Sequence, residues 1–144
     1  MTEVWKVVNA VGETLESSMV GRTAFGCTYK KNVTVKFNGF LPCLAFKCQN
    51  DAEKFWAFHK QHKDTLQIWK AEATILPHPV KSILPYLLVE DTKPQPNDTV
   101  VTFWKSKRWH RPGDAIINGW RYVADAPPGT IACTSITLLE RCDD

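Results

Sequence analysis

The chain opens with Val and Trp recurring in partial alternation over residues 4–11, a pattern that predicts a first β-strand. Gly12-Glu13 follows as a turn, residues 15–20 read as a partner strand, and 21–26 as a loop. In 28–37, Val33, Val35 and Phe37 recur at period two while Thr34 and Lys36 face the other way. This is a half-exposed strand closed by the turn Asn38-Gly39. After the short apolar piece Leu44-Ala45-Phe46 the period changes. Asn50, with Glu53 three residues on, resembles a capping box, and Ala52, Phe55, Trp56 and His59 form one apolar stripe. A helix over about residues 51–62 is expected, its stripe lying on a sheet.

Residues 66–75 fit two patterns, since Trp69, Ala71, Ala73 and Ile75 alternate while Ala71-Glu72-Ala73 are helix formers. The strand is preferred because strand, helix, strand is the simplest way to cover the helix stripe. Pro77, Pro79 and Pro85 leave 80–88 at most a short turn of helix. Residues 91–98 are the clearest loop, 100–104 read as a strand, and 105–114 as a basic, Trp-containing loop. Two short strands, 115–117 and 120–123, flank Asn118-Gly119, and Pro127-Pro128-Gly129-Thr130 turns the chain into a closing strand at 131–139. The sum is five to seven strands around one principal helix. The expected fold class is α+β, a single compact domain over residues 1–144 with a mostly antiparallel sheet, whose terminal strands are expected to pair within it.

Composition supports a folded chain. Of 144 residues, 44% are hydrophobic, 11% aromatic and 23% charged, which excludes a disordered charged tail and a coiled coil. Nine prolines and six tryptophans against two methionines favour strands and loops over a helical bundle. The first residues lack a basic segment followed by an apolar core, and no apolar run approaches the roughly 18 to 20 residues of a membrane span. A cytoplasmic location, no membrane partner and reduced thiols at all five cysteines are expected. On that expectation the glycosylation-type triplets at Asn32 and Asn97 are chance matches.

Net charge is only +3, too small to demand a nucleic-acid partner. Its distribution says more. From Trp104 to Arg121, Lys105, Lys107, Arg108, Arg111 and Arg121 stand against the single acid Asp114. Cations interleaved with aromatics suit a phosphate-bearing partner: Lys107, Arg108 and Arg111 would contact phosphates, or an acidic host protein, and Trp109 would stack. The alternative is a solvated loop anchored by its tryptophans, so whether Trp104, Trp109 and Trp120 face water or core is decisive.

Three other chemistries find less support. Cys43, Cys48, His59 and His62 are separated by four, ten and two residues, and two of those spacings miss a two-Cys, two-His zinc site. Cys43 reads instead as a buried small hydrophobe. No hydrolase elbow, zinc-protease motif or Gly-rich phosphate loop is present, and Cys27 is the only nucleophile that could be paired with a histidine. The order of elements also suggests an ADP-ribosyltransferase-like shape with Arg22, Ser17 or Ser18, and Glu140, without a supporting motif. No catalytic residue, metal or cofactor is assigned.

Trp5-Lys6-Val7-Val8, the run from Leu44-Ala45-Phe46-Lys47 into Asp51-Ala52-Glu53-Lys54-Phe55, Trp69-Lys70-Ala71-Glu72, Pro127-Pro128-Gly129-Thr130-Ile131-Ala132 and Leu138-Leu139-Glu140-Arg141 form an ordered series. In that order and spacing the chain resembles a set of small, mostly uncharacterised proteins of bacteriophages and their bacterial hosts. The resemblance implies a viral or mobile-element origin and a compact α+β fold, and it implies no activity. The leading expectation is a non-enzymatic phage-type accessory protein in the host cytoplasm, binding a nucleic acid, nucleotide or acidic protein through Lys105, Lys107, Arg108, Trp109, Arg111 and Arg121. The alternatives are a structural component acting as a homo-oligomer and, third, a nucleotide enzyme.

Overall fold

The computed structural model describes residues 1–17, 27–37, 42–60, 64–83, 103–113 and 124–143. In chain order the elements are β1 (Thr2–Val11), β2 (Thr14–Ser17), β3 (Thr28–Tyr29), β4 (Thr34–Lys36), β5 (Cys43–Phe46), α1 (Gln49–Lys60), β6 (Leu66–Ile75), β7 (Ser82–Ile83), β8 (Ala124–Asp125) and β9 (Thr130–Arg141). Among the described residues every ladder is antiparallel. The α+β class with one principal helix therefore holds.

β1 pairs β6 from Thr2↔Ala73 to Asn9↔Leu66, and β6 pairs β9 from Trp69↔Arg141 to Ile75↔Cys133. β9 then pairs β5, and β5 returns to β1 at Trp5↔Phe46. These four strands close a small barrel, with β2 and β3 continuing from β1 and β4 from β9. Two register shifts in the β6–β9 ladder, at Lys70/Ala71 and Thr74/Ile75, supply the bending that closure needs.

Alternation along the long strands decides which face each residue takes. Val4, Val8, Ala71, Ala73, Ala45, Cys43, Cys133, Ile136 and Leu138 meet inside, and the small Ala and Cys side chains let so narrow a barrel fill without clashes. Lys6 shares this interior and is 7% exposed. Its Nζ donates to the Leu44 carbonyl at 2.6 Å and lies 5.8 Å from the Tyr29 ring centre, so the buried charge has both an acceptor and an aromatic face. The Tyr29 hydroxyl sits 3.4 Å from both Ser17 Oγ and Cys43 Sγ. Burial, then the neighbouring Cys43, pushes the Tyr29 hydroxyl far up and the Cys133 thiol up to about 12, so both stay protonated at neutral pH.

The opposite face of the sheet carries Val7, Phe46, Leu66 and Ile68, and α1 covers it with Ala52, Phe55 and Trp56. Trp56 Nε1 donates to the Leu66 carbonyl at 3.0 Å, tying the helix to the start of β6. The helix begins one residue before the expected cap. Cys48 Sγ donates to Asp51 Oδ2 at 2.9 Å and Gln49 Nε2 donates to Glu53 Oε1 at 3.2 Å, in place of an Asn50–Glu53 box.

Several sequence expectations are corrected. The single strand at 28–37 is two strands, because Val33 N bonds back to Lys30 O at 3.1 Å and Asn32 takes a left-handed φ of 64°. β3 then joins β2, while β4 crosses to β9. Within 80–88, Ser82–Ile83 is a strand paired with β8, not a helical turn. Residues 103–105 form a helical turn where a strand ending at 104 was expected. The terminal strands β1 and β9 do pair within the sheet, on either side of β6. The 91–98 loop, the strands at 115–117 and 120–123, and Arg121 lie outside the described residues. Among the described residues no helix is long and apolar enough to cross a membrane.

Candidate functional site

The basic segment is a compact knob with a buried base. The Lys107 amide bonds Trp104 O at 3.3 Å, Lys107 turns with a φ of 59°, and Arg108–His110 form a 3-10 turn closed by His110 N to Lys107 O at 3.0 Å. This turning sends Trp109 inward. Only 6% exposed, it packs with Val80, Phe103 and Ala132, and its Nε1 donates to the Trp104 carbonyl at 3.3 Å. A ring held there cannot stack on a base, so the stacking role expected for Trp109 is corrected to that of an anchor.

Arg108 is also recruited by the loop itself. Its Nη1 donates to Pro112 O at 2.7 Å, Arg111 O at 3.2 Å and Ser82 Oγ at 3.4 Å, and Ser82 Oγ donates back to Arg108 O at 3.1 Å. Through Nη1 the guanidinium staples the knob to β7. Lys105, Lys107 and Arg111 are exposed, as the sequence expectation requires.

Two groups that sequence reasoning missed join this surface. Lys81 is exposed beside the knob, its N–H bonded to Trp109 O at 2.8 Å and its carbonyl accepting from Ala126 N at 3.0 Å. His78 stacks on His110 with ring centres 4.5 Å apart. Burial first, then His78, Lys107 and Lys81, holds the His110 imidazole below its usual value. Both residues lie on the proline-interrupted stretch, where no periodicity signals a site.

Next to the knob a cleft of about 400 Å³ opens between α1 and the turn before β9. Asp51, Asp125, Phe58, His59, Pro127 and Pro128 line it, with Lys54 on the helix side. Asp125 belongs to both features, since its Oδ1 accepts from Gly113 N at 2.6 Å at the end of the basic segment. Phe58 is 69% exposed and meets His59 edge-on at 5.0 Å. The sequence signal was present: Phe58 falls outside the stripe of Ala52, Phe55, Trp56 and His59.

The remaining candidates are dispersed. Cys43 lies inside the barrel, Cys48 is exposed at the start of α1, His59 lines the cleft, and His62 is outside the described residues. Among the described residues no group of three or more His, Cys, Asp or Glu gathers as a metal site. Cys27 is half-buried, and burial followed by Cys43 raises its pKa, which disfavours the thiolate. Ser17 is buried against Tyr29, and Glu140 is exposed 3.7 Å from Lys70; Arg22 and Ser18 lie outside the described residues. Comparison with family models, curated proteins and solved structures gives no match.

Proposed function

We propose that this protein acts by binding a phosphate-bearing partner, a nucleic acid or a nucleotide, through Lys81, Lys105, Lys107 and Arg111, in an accessory role of bacteriophage type in the host cytoplasm. The observation that carries the reading is the preorganised knob. Trp109 in the core and the Arg108 staple fix the backbone from which Lys107 and Arg111 project, so binding loses less conformational entropy than a flexible basic loop would. Lys107 and Lys81, which add to the burial that depresses His110, supply a matching positive field.

The test is fluorescence anisotropy with a labelled single-stranded oligonucleotide at salt between about 50 and 200 mM. The reading expects binding that weakens steeply with salt, and a log–log slope shallower by about 1 to 2 in the K107E/R111E double variant. Absence of binding, or binding unchanged by salt and by the double variant, overturns it.

A further inference from the structure

We propose that the cleft beside the knob is a base pocket, selecting an amino-bearing nucleobase whose phosphate rests on Lys81 and Lys107. The inference rests on the phosphate-binding reading above and adds the part of the ligand that reading leaves undefined. Trp109 is buried, so it offers no stacking face to a ligand whose phosphate sits on the knob. The cleft provides one: Phe58 is exposed, His59 and Pro127–Pro128 complete apolar walls, and about 400 Å³ suits a single base.

The carboxylates define which base fits. Asp51 and Asp125 are acceptors with capacity beyond the Cys48 thiol and the Gly113 amide they already receive. An exocyclic amine, as on cytosine or adenine, donates to such a group, whereas the O4 carbonyl of thymine is repelled. Backbone bonds hold the two halves together. Ala126, on the cleft wall, donates to the Lys81 carbonyl at 3.0 Å, and the Lys81 N–H reaches Trp109 at 2.8 Å. The same ligand thus meets cations at its phosphate and carboxylates at its base.

The experiment compares labelled oligo-dC and oligo-dT of equal length, and the mononucleotide CMP, on the wild-type protein and on the F58A and D51N/D125N variants at neutral pH. Expected are oligo-dC binding at least about fivefold tighter than oligo-dT, a loss of about tenfold in F58A, and a dC to dT ratio near one in D51N/D125N with the salt slope unchanged. Displacement of oligo-dC by CMP assigns the pocket to a nucleotide as such, and failure of CMP to displace it assigns the pocket to a strand. Phe58 is exposed, so F58A leaves the fold intact and isolates stacking. Equal, salt-dependent binding of both oligonucleotides, indifferent to F58A, overturns the base pocket and leaves the phosphate reading standing. No salt-dependent binding of either overturns both.

Discussion

Trp109 and Lys6 show how a side chain's neighbours reverse what its type suggests. An indole in a run of cations invites a stacking role, yet this one fills the space between Val80, Phe103 and Ala132. Trp109→Ala is expected to destabilise the protein by about 3 to 5 kcal/mol in denaturant titration, through the cavity it leaves. Lys6 is a cation inside an apolar barrel, and its 2.6 Å bond to the Leu44 carbonyl explains how it is tolerated. Thiol reactivity follows the same environments. At pH 8 an aromatic disulfide reagent is expected to modify exposed Cys48 rapidly, while Cys133, pushed up to about 12 by burial, reacts only after denaturation. Fast modification of Cys133 in the native protein would contradict its interior position.

Between elements, a close fit joins α1 to the turn before β9. Gly129 has a φ of +80°, and a Cβ there would land on the Asp51 carboxyl, while Lys47 N bonds Gly129 O at 2.9 Å. Gly129→Ala should therefore cost more than Gly12→Ala, whose φ is +61° with open space around it. The expected costs are about 2 to 3 against about 1 kcal/mol by denaturant titration. Sequence periodicity located α1 and β1, the turn Pro127–Thr130 located β9, and β6, whose pattern also fits a helix, was placed by the need to cover the helix stripe. Periodicity failed where a local turn outweighs alternation, as at Asn32, and where a strand has two residues and no pattern, as at Ser82–Ile83. The exposed cations Lys105, Lys107 and Arg111 were legible as a charge cluster. Lys81 and His78 were not, since only tertiary pairing of β7 with β8 and the knob brings them there.

For the molecule as a whole, acid sensitivity has an identifiable source near the C-terminal end of β9. Asp143 accepts from Ile68 N at 3.0 Å and from Arg141 Nε at 2.8 Å and Nη2 at 3.0 Å, joining the last strand to β6. Burial pushes its carboxyl up, but the Arg141 bonds, the Ile68 amide and the Arg141 charge together pull it below the usual value. A carboxyl with a depressed folded pKa contributes stability above its unfolded pKa, and that contribution disappears as pH falls through the folded pKa. Asp143→Asn is expected to lose about 1 to 3 kcal/mol at pH 7 and progressively less toward the acid end, in urea melts from pH 7 to pH 2. An equal loss at both ends would assign Asp143 a packing role instead.

The ring of strands also governs how the chain is made. β9 is the shared neighbour of β4, β5 and β6, so during translation three segments wait with open edges until it emerges from the ribosome. A nascent chain stalled before residue 130 would leave Val4, Val8, Ala71 and Ala73 without the Ile131, Cys133, Ile136 and Leu138 side chains that share their core, a ready substrate for chaperones. The same closure makes the arrival of β9 the step that completes the barrel interior.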